Sequence, residues 1–538
     1  MPNEIVYLTA AYGEKYVPFI LTFLQSLANA REPESRAVVL WDFLPPHEVR
    51  ILRSAFPWCD FIQSPITLTG ISRKDVPLKV HFWCKGVEMF PHAQLRLMDS
   101  DTVVVKNFND LVKGEYDILY TYKKELYPLN TGVMVVNNSP RAIYFFHLWL
   151  KGIAECLANR KALQEAVRKN GAVDQHVLAE WLGTPLPEAP KEVDIRGRKL
   201  TFKPAPCSEL NETRSRSIGP EVRVIHYKGG WQPILVENKD FSQYRSRDLS
   251  LEMYRYWMSI YSNAASYSIK KLVMGECAKR KEKFRKFNFD FQIRGILHSE
   301  MLIVCALCEA LGIEVIIESG RCRGQSTYLL AKYFADSDVK IESIEINRDQ
   351  NALYCEQRLH PFSEKVNLLY GDCRTLLPGL LKKHRGRKLA ILFDGPKGEP
   401  ALEIFHQSVR SRNGNSVVAG FFHDTKKGVP FRSLYESGYK RAFFSDDEDF
   451  VEKFREIDKP CLPKDGDSIT EHTWRPYMKG RRRMGSYGPT LCTVLPLYPE
   501  KVERGSRLYP AKLMLIKTRS VAGRLKRFLV RSIKNEPA

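Results

Sequence analysis

The chain has 538 residues, 44% of them hydrophobic, and a mean hydropathy of −0.32. That length supports two or three cores, and the absence of any run near the ~18 apolar residues of a membrane span excludes a chain built of membrane-spanning helices. The formal net charge is +21, unevenly spread: residues 1–250 carry 32 Lys+Arg against 28 Asp+Glu, and residues 251–538 carry 51 against 34.

The chain opens on an apolar strand running into small residues, Ile5-Val6-Tyr7-Leu8-Thr9-Ala10-Ala11-Tyr12. Lys79-Val80-His81-Phe82-Trp83 follows, and then Leu97-Met98-Asp99-Ser100-Asp101-Thr102-Val103-Val104-Val105. In extended backbone alternate side chains share a face, so Asp99 and Asp101 are expected to address one site together. Two hard carboxylates suit a divalent cation, with a nucleotide diphosphate able to supply further oxygens. Taken alone, the pair is also ordinary turn chemistry. Further along come Leu129-Asn130-Thr131-Gly132-Val133-Met134, Val173-Asp174-Gln175-His176 and His226-Tyr227-Lys228-Gly229-Gly230-Trp231-Gln232-Pro233. Each has a plain reading too: Asn-Thr-Gly as a turn, Asp174 as a helix N-cap.

In this order the segments resemble family 8 glycosyltransferases over roughly the first 260 residues. The resemblance implies a GT-A fold, a nucleotide-sugar donor, Mn²⁺ (or Mg²⁺), and transfer with retention. It further implies that Asp99, Asp101 and His226 ligate the metal, and that Thr9 and Ala11 line the nucleotide pocket. Lys79 would approach the donor, while Asn130, Asp174 and Gln175 would hold the transferred sugar. One departure stands out. The family places a lysine where this chain has Gln232, and Lys228 is the candidate to meet the diphosphate instead.

Residues 261–299 read as a basic helical connector containing Lys279-Arg280-Lys281-Glu282-Lys283-Phe284-Arg285-Lys286. Within the apolar run after it, Cys305-Ala306-Leu307-Cys308 has no second pair nearby and is expected to be core packing. From about 300 to 500 strands alternate with helices, which predicts an α/β, mostly parallel, doubly wound sheet. Its strands end in Glu318-Ser319-Gly320-Arg321-Cys322-Arg323-Gly324, in Glu345, in Gly371-Asp372, in Asp394-Gly395-Pro396-Lys397 and in His423-Asp424. This order resembles class I S-adenosylmethionine-dependent methyltransferases. The resemblance implies that Glu318, Gly320 and Gly324 shape the methionine and ribose pocket, that Glu345 accepts from the ribose hydroxyls, and that Asp372 lies near the adenine. Asp394 would sit near the methionine amine and the substrate. By their own chemistry His423 and Asp424 read as a general base and its orienter, or equally as an ordinary loop pair. The glycine spacing does not fit the G-x-G-x-x-G of a dinucleotide site. A methyltransferase-like fold without catalysis remains the alternative for this half.

Together the halves suggest an enzyme of surface-glycan or glycolipid assembly with a glycan or lipid-linked acceptor. The basic second half also raises nucleic acid as a partner, disfavoured because no aromatic-basic RNA-binding signature is present. No basic-then-apolar leader opens the chain and its twelve cysteines are scattered, so a cytoplasmic setting is expected. In the tail, 501–538, Val521, Leu525, Phe528, Leu529 and Ile533 fall at helical spacing among Arg524, Lys526, Arg527 and Arg531. That pattern predicts a basic amphipathic helix for reversible, peripheral contact with a membrane's cytoplasmic face.

Overall fold

A computed structural model describes residues 4–66, 78–123, 128–183, 185–213, 217–228, 231–236, 250–287, 295–411, 413–429, 431–461 and 490–497. The predicted tail helix lies outside the described residues. Two compact units form, one within 1–49 and 56–261, the other within 50–55 and 262–502. No helix among the described residues is long and apolar enough to cross a membrane.

The first unit is an α/β domain built on strands β1 (Ile5–Tyr12), β2 (Arg36–Asp42), β3 (Cys59–Gln63), β4 (Gln94–Met98), β5 (Thr102–Val104), β6 (Ile118–Tyr122), β7 (Leu129–Asn137), β8 (Lys191–Ile195), β9 (Arg198–Pro206) and β10 (Val224–His226). Eight of them make one sheet in the order β3-β2-β1-β4-β7-β6-β9-β8, while β5 and β10 pair separately. β1, β2, β3 and β4 run parallel, and β7 is antiparallel to both its neighbours. Their near-continuous apolar sequences reflect burial on both faces: β7 is buried at every position but its last. Because the strand order reverses between β1 and β4, a crevice opens beyond their carboxyl ends, and Asp99 is the first residue after β4.

One polar side chain anchors β4 from inside. Arg96 is fully buried, with its guanidinium between the rings of Tyr7 and Phe108. It donates to Glu32 Oε1 at 2.9 Å, and to the Tyr7 hydroxyl and Asn109 Oδ1. Burial pushes the Glu32 carboxyl up, but Arg96 and the donors around it bring it below its ordinary value.

The helix Leu251–Arg285 is continuous for 35 residues. From 262 onward it belongs to the second unit, where Ile269, Leu272, Val273, Cys277 and Phe284 enter the core. The basic run on it is largely ion-paired: Lys279 and Arg280 with Glu276, Lys283 with Glu309, Lys281 and Arg285 with Glu456. The pairs with Glu309 and Glu456 tie the helix to other parts of the second unit, while those with Glu276 lie within the helix.

The second unit contains β11 (Val315–Ser319), β12 (Lys340–Glu345), β13 (Val366–Tyr370), β14 (Leu389–Phe393), β15 (Val417–Phe422), β16 (Ala442–Phe444) and β17 (Cys492–Val494). Their order is β13-β12-β11-β14-β15-β17-β16, parallel except that β17 is antiparallel to both its neighbours. This is the doubly wound, Rossmann-like sheet the sequence predicts, reversing between β11 and β14. Cys305 and Cys308 are fully buried in the helix His298–Leu311, as core packing requires.

Removing one partner of a buried ion pair typically costs about 3–5 kcal/mol. Arg96→Ala is therefore expected to lower the first unit's unfolding free energy by about that amount, read from urea denaturation. A loss below about 1 kcal/mol, the worth of an exposed pair, would show that Arg96 does not anchor β4.

Candidate functional site

Asp99 and Asp101 converge through a turn between β4 and β5, not along a strand as the alternation of side chains predicts. The Thr102 amide and hydroxyl both donate to the Asp99 carbonyl, at 3.1 and 2.7 Å, and close the chain on itself. β-branched Thr102, Val103 and Val104 then form β5, which pairs antiparallel with β10 and sets His226 opposite Thr102. The Tyr227 amide donates to the Asp101 carbonyl at 2.8 Å.

This ladder aims His226 at both acids. Its Nε2 lies 3.1 Å from Asp101 Oδ1 and 3.5 Å from Asp99 Oδ2. Its Nδ1 is 2.9 Å from Asn211 Oδ1, to which it donates as the Nδ1–H tautomer, leaving Nε2 free to ligate. Asn211 in turn donates to Thr121 Oγ1 at 2.7 Å. A Cβ at Gly132 would overlap the His226 ring, so the glycine of the Asn-Thr-Gly segment is what admits the imidazole.

Lys79 and Asp174 complete the cluster. Lys79 Nζ donates to Asp99 Oδ2 at 3.0 Å and to the Thr131 carbonyl at 3.3 Å, and stands 3.6 Å from Asp174 Oδ2. Asp174 is buried, accepts from Thr131 Oγ1 at 2.6 Å, and has its carbonyl bonded by Trp149 Nε1 at 3.0 Å. Asn130 Oδ1 accepts from the Gly132 amide, and Gln175, with its amide turned to donate, reaches the Leu129 and Asn170 carbonyls. Burial opposes charge on Lys79, but Asp99 and Asp174 hold it protonated. Burial raises the Asp99 carboxyl despite Lys79 and His226, and Asp101 adds to the rise. Two carboxylates and one imidazole nitrogen, crowded and desolvated, fit a divalent cation that would relieve their repulsion. Lys228 is pushed down to about 8 by burial and by the nearby Lys79 and Lys123. Thr9 and Ala11, expected to line a nucleotide pocket, are fully buried in β1; the Thr9 hydroxyl has no hydrogen-bond partner among the described residues. The side chain of Gln232 lies outside the described residues.

In the second unit a cavity of about 350 Å³ opens at the β11/β14 reversal. Gly320, Glu345, Asp372, Cys373, Gly395 and Pro396 are among its lining residues. Gly320 has φ +90°, and a Cβ there would strike the Asp394–Gly395 backbone. Glu345 accepts the Cys322 and Ile346 amides, at 2.7 and 2.8 Å, and is held facing the cavity with acceptor capacity to spare. Asp372 also caps the helix Cys373–Lys383.

Three expectations need correction here. Glu318 does not line the cavity: it is fully buried, its carboxylate taken by Ser326, Thr327 and Ser343 hydroxyls. Gly324 does not line the cavity: it precedes the helix Gln325–Tyr333 at φ +75°, and a Cβ there would strike Cys355. His423 is not oriented by Asp424. Its Nδ1 is 2.9 Å from Asp394 Oδ1 and 3.8 Å from Asp424, while Nε2 faces buried Glu300 at 3.6 Å. Burial opposes its charge, but Asp394 and Glu300 outweigh it and raise His423 to about 10. Charge held on the imidazole works against a role as general base. Lys397 spans the remaining carboxylates, 3.1 Å from Asp394 and in contact with Asp424.

Asn211, Thr131 and Glu300 were not foreseen. No local sequence pattern ties Asn211 to His226. Glu300 leaves a trace, a lone acid opening an apolar helix.

No protein-family model and no curated protein matches the chain. Among solved structures it is similar to the glycosyltransferase GlyE of Streptococcus pneumoniae TIGR4, at 12% identity over 74% of this chain and 93% of that one, TM-score 0.34. The galactosyltransferase LgtC, solved with donor and acceptor sugar analogs, matches at 13% over 48% and 95%, TM-score 0.30. The O-methyltransferase TomG of Streptomyces achromogenes, solved with SAM, matches at 14% over 41% and 89%, TM-score 0.22. At these identities and scores the likenesses carry no functional weight, and the site's own residues must carry the reading.

The raised His423 gives a pH signature. Its charge contributes stability that is full below its ordinary 6.5 and is lost as pH rises through about 10. The native chain should therefore weaken across that window relative to His423→Gln in paired urea melts; parallel pH profiles would show the imidazole is not held charged.

Proposed function

We propose that the first unit is a retaining, metal-dependent glycosyltransferase using a nucleotide-sugar donor. The observation that carries this reading is the convergence of Asp99, Asp101 and His226 beside Lys79 and Asp174, beyond the carboxyl ends of β1 and β4. Asp99, Asp101 and His226 would hold Mn²⁺ or Mg²⁺, which when bound offsets charge gathering on a departing diphosphate. Lys228 would add a second positive charge there, in the role that the uncharged Gln232 cannot fill. Asp174, held by Thr131 and Trp149, would fix a sugar hydroxyl, with Asn130 and Gln175 shaping that pocket. The acceptor would be a glycan, lipid-linked if the basic tail brings the chain to a membrane surface.

For the second unit we propose S-adenosylmethionine binding in the β11/β14 cavity and methylation of a glycan hydroxyl. Its support is a volume within the range of small-molecule sites, the backbone approach forced at Gly320, and a carboxylate at Glu345 suited to a vicinal diol. The ion pairing of His423 favours a second reading, in which the unit binds the cofactor without transferring its methyl group. Transfer of label from methyl-labelled cofactor to the glycan product separates the two.

Turnover of nucleotide sugars should require a divalent cation and stop in chelator. Replacing Asp101 by Asn together with His226→Ala should reduce it by more than about a hundredfold, in line with losing a major electrostatic contribution; undiminished turnover would remove the metal assignment. Losing a charged acceptor costs about 1.5–3 kcal/mol, so Glu345→Ala should weaken cofactor binding by about tenfold or more in calorimetry. Unchanged affinity would place the ribose elsewhere.

A further inference from the structure

Away from the cluster just described, the helices Leu78–Met89 and Pro140–Ala158 bring three unlike ligands together. Cys84 and Glu88 are one helical turn apart on the first helix, and so share a face. His147 meets them from the second helix. Cys84 Sγ lies 3.6 Å from His147 Nδ1, and Glu88 Oε1 lies 3.3 Å from His147 Nε2. One ligand atom from each falls within 4.8 Å of the others. Lys85 engages the other carboxylate oxygen, Glu88 Oε2, and leaves Oε1 to the cluster.

We propose that Cys84, Glu88 and His147 form a zinc site that clamps these two helices. Thiolate, imidazole and carboxylate are together the donor set of zinc, whereas Mn²⁺ and Mg²⁺ favour oxygen. A tetrahedral zinc with ordinary Zn–S and Zn–N bonds separates sulfur from nitrogen by about 3.6 Å, which is the spacing already present between Cys84 and His147. Cys84 and Glu88 face different imidazole nitrogens, so the ring, 51% exposed, would turn to bring one nitrogen onto the ion. Water would take the fourth position on the exposed side. Binding would break the Cys84 S–H bond, form Zn–S, and pass the proton to solvent.

A redox role for this cysteine is the weaker alternative. Burial and Glu88 push the Cys84 thiol up to about 12, which disfavours a free reactive thiolate. The clamp has a consequence for the first unit. The first helix carries Lys79, and the second carries Trp149, which holds the Asp174 carbonyl. An ion tying Cys84 and Glu88 to His147 would fix the two helices that aim Lys79 and Asp174. The site itself does not depend on the function proposed above.

The test is titration of chelator-stripped, full-length protein with Co²⁺ as a spectroscopic stand-in. The expected result is a near-ultraviolet thiolate-to-cobalt band that saturates with one ion and is displaced by Zn²⁺. Cys84→Ser should abolish the band, and His147→Ala, at an exposed position, should weaken zinc binding at least about tenfold. Zinc should also raise the thermal midpoint of the native chain but not of His147→Ala. Binding of Mn²⁺ should be the same in both variants, so this outcome is separate from the fate of the Asp99–Asp101–His226 site. A missing band, or one that survives in Cys84→Ser, overturns the proposal.

Discussion

The first unit's chemistry depends on one close approach, the imidazole of His226 packed where Gly132 has no side chain. His226 lies on a three-residue strand, too short to be stable by itself, and reaches the acids only because β10 pairs with β5. β5 exists because the chain turns tightly at Asp99–Thr102, and that turn follows directly on β4, which Arg96 pins from within. Any larger residue at position 132 would push the ring off both Asp101 and Asn211. The glycine also holds the first acid directly, its carbonyl accepting from the Asp99 amide at 2.8 Å. Asn211 completes the arrangement by committing Nδ1, and so leaves a single nitrogen for chemistry.

Both units place their candidate sites where the strand order reverses, at β1/β4 and at β11/β14. A reversal lets the connections on either side depart to opposite faces and leaves a crevice that no crossover covers. Short polar residues and glycines then collect at the strand ends, because backbone and ligand must share that space. In the first unit the crevice is filled by side-chain charge. In the second it is lined mostly by turns, and Gly320 shows how little room the backbone leaves between β11 and β14.

Much of this was legible in the sequence. The alternation of strands and helices predicts the second sheet, and the resemblance carried by the spaced segments of the first 260 residues implies that Asp99, Asp101, His226, Lys79 and Asp174 share one place. What sequence misjudged was the use of individual strand-end residues. Glu318 and Glu345 look alike, each an acid at or near the end of an apolar strand. Glu318 is nevertheless enclosed by three hydroxyls from its own unit, while Glu345 lies at a cavity. Gly320 and Gly324 look alike too, but one makes room for backbone and the other for Cys355. Such differences are set by which neighbour arrives from elsewhere in the chain, and local spacing holds no record of that. The same holds for Asn211 and Glu300, whose partners are fixed by tertiary contacts alone.

Charge balance separates two clusters that a residue count would equate. Asp99 and Asp174 share one lysine within ion-pair distance, and burial with the neighbouring Asp101 raises Asp99 even with that lysine present. Such a set gains from a cation. Asp394, Asp424 and His423 also bring two carboxylates and an imidazole within ligand distance of one another. There, however, His423 is charged by Asp394 and Glu300, and Lys397 spans Asp394 and Asp424. A divalent ion entering that cluster would have to displace an ammonium and repel an imidazolium, so its attraction to the carboxylates is already spent on internal partners. Lys397, three residues after Asp394, thus places a covalently attached cation between the two carboxylates.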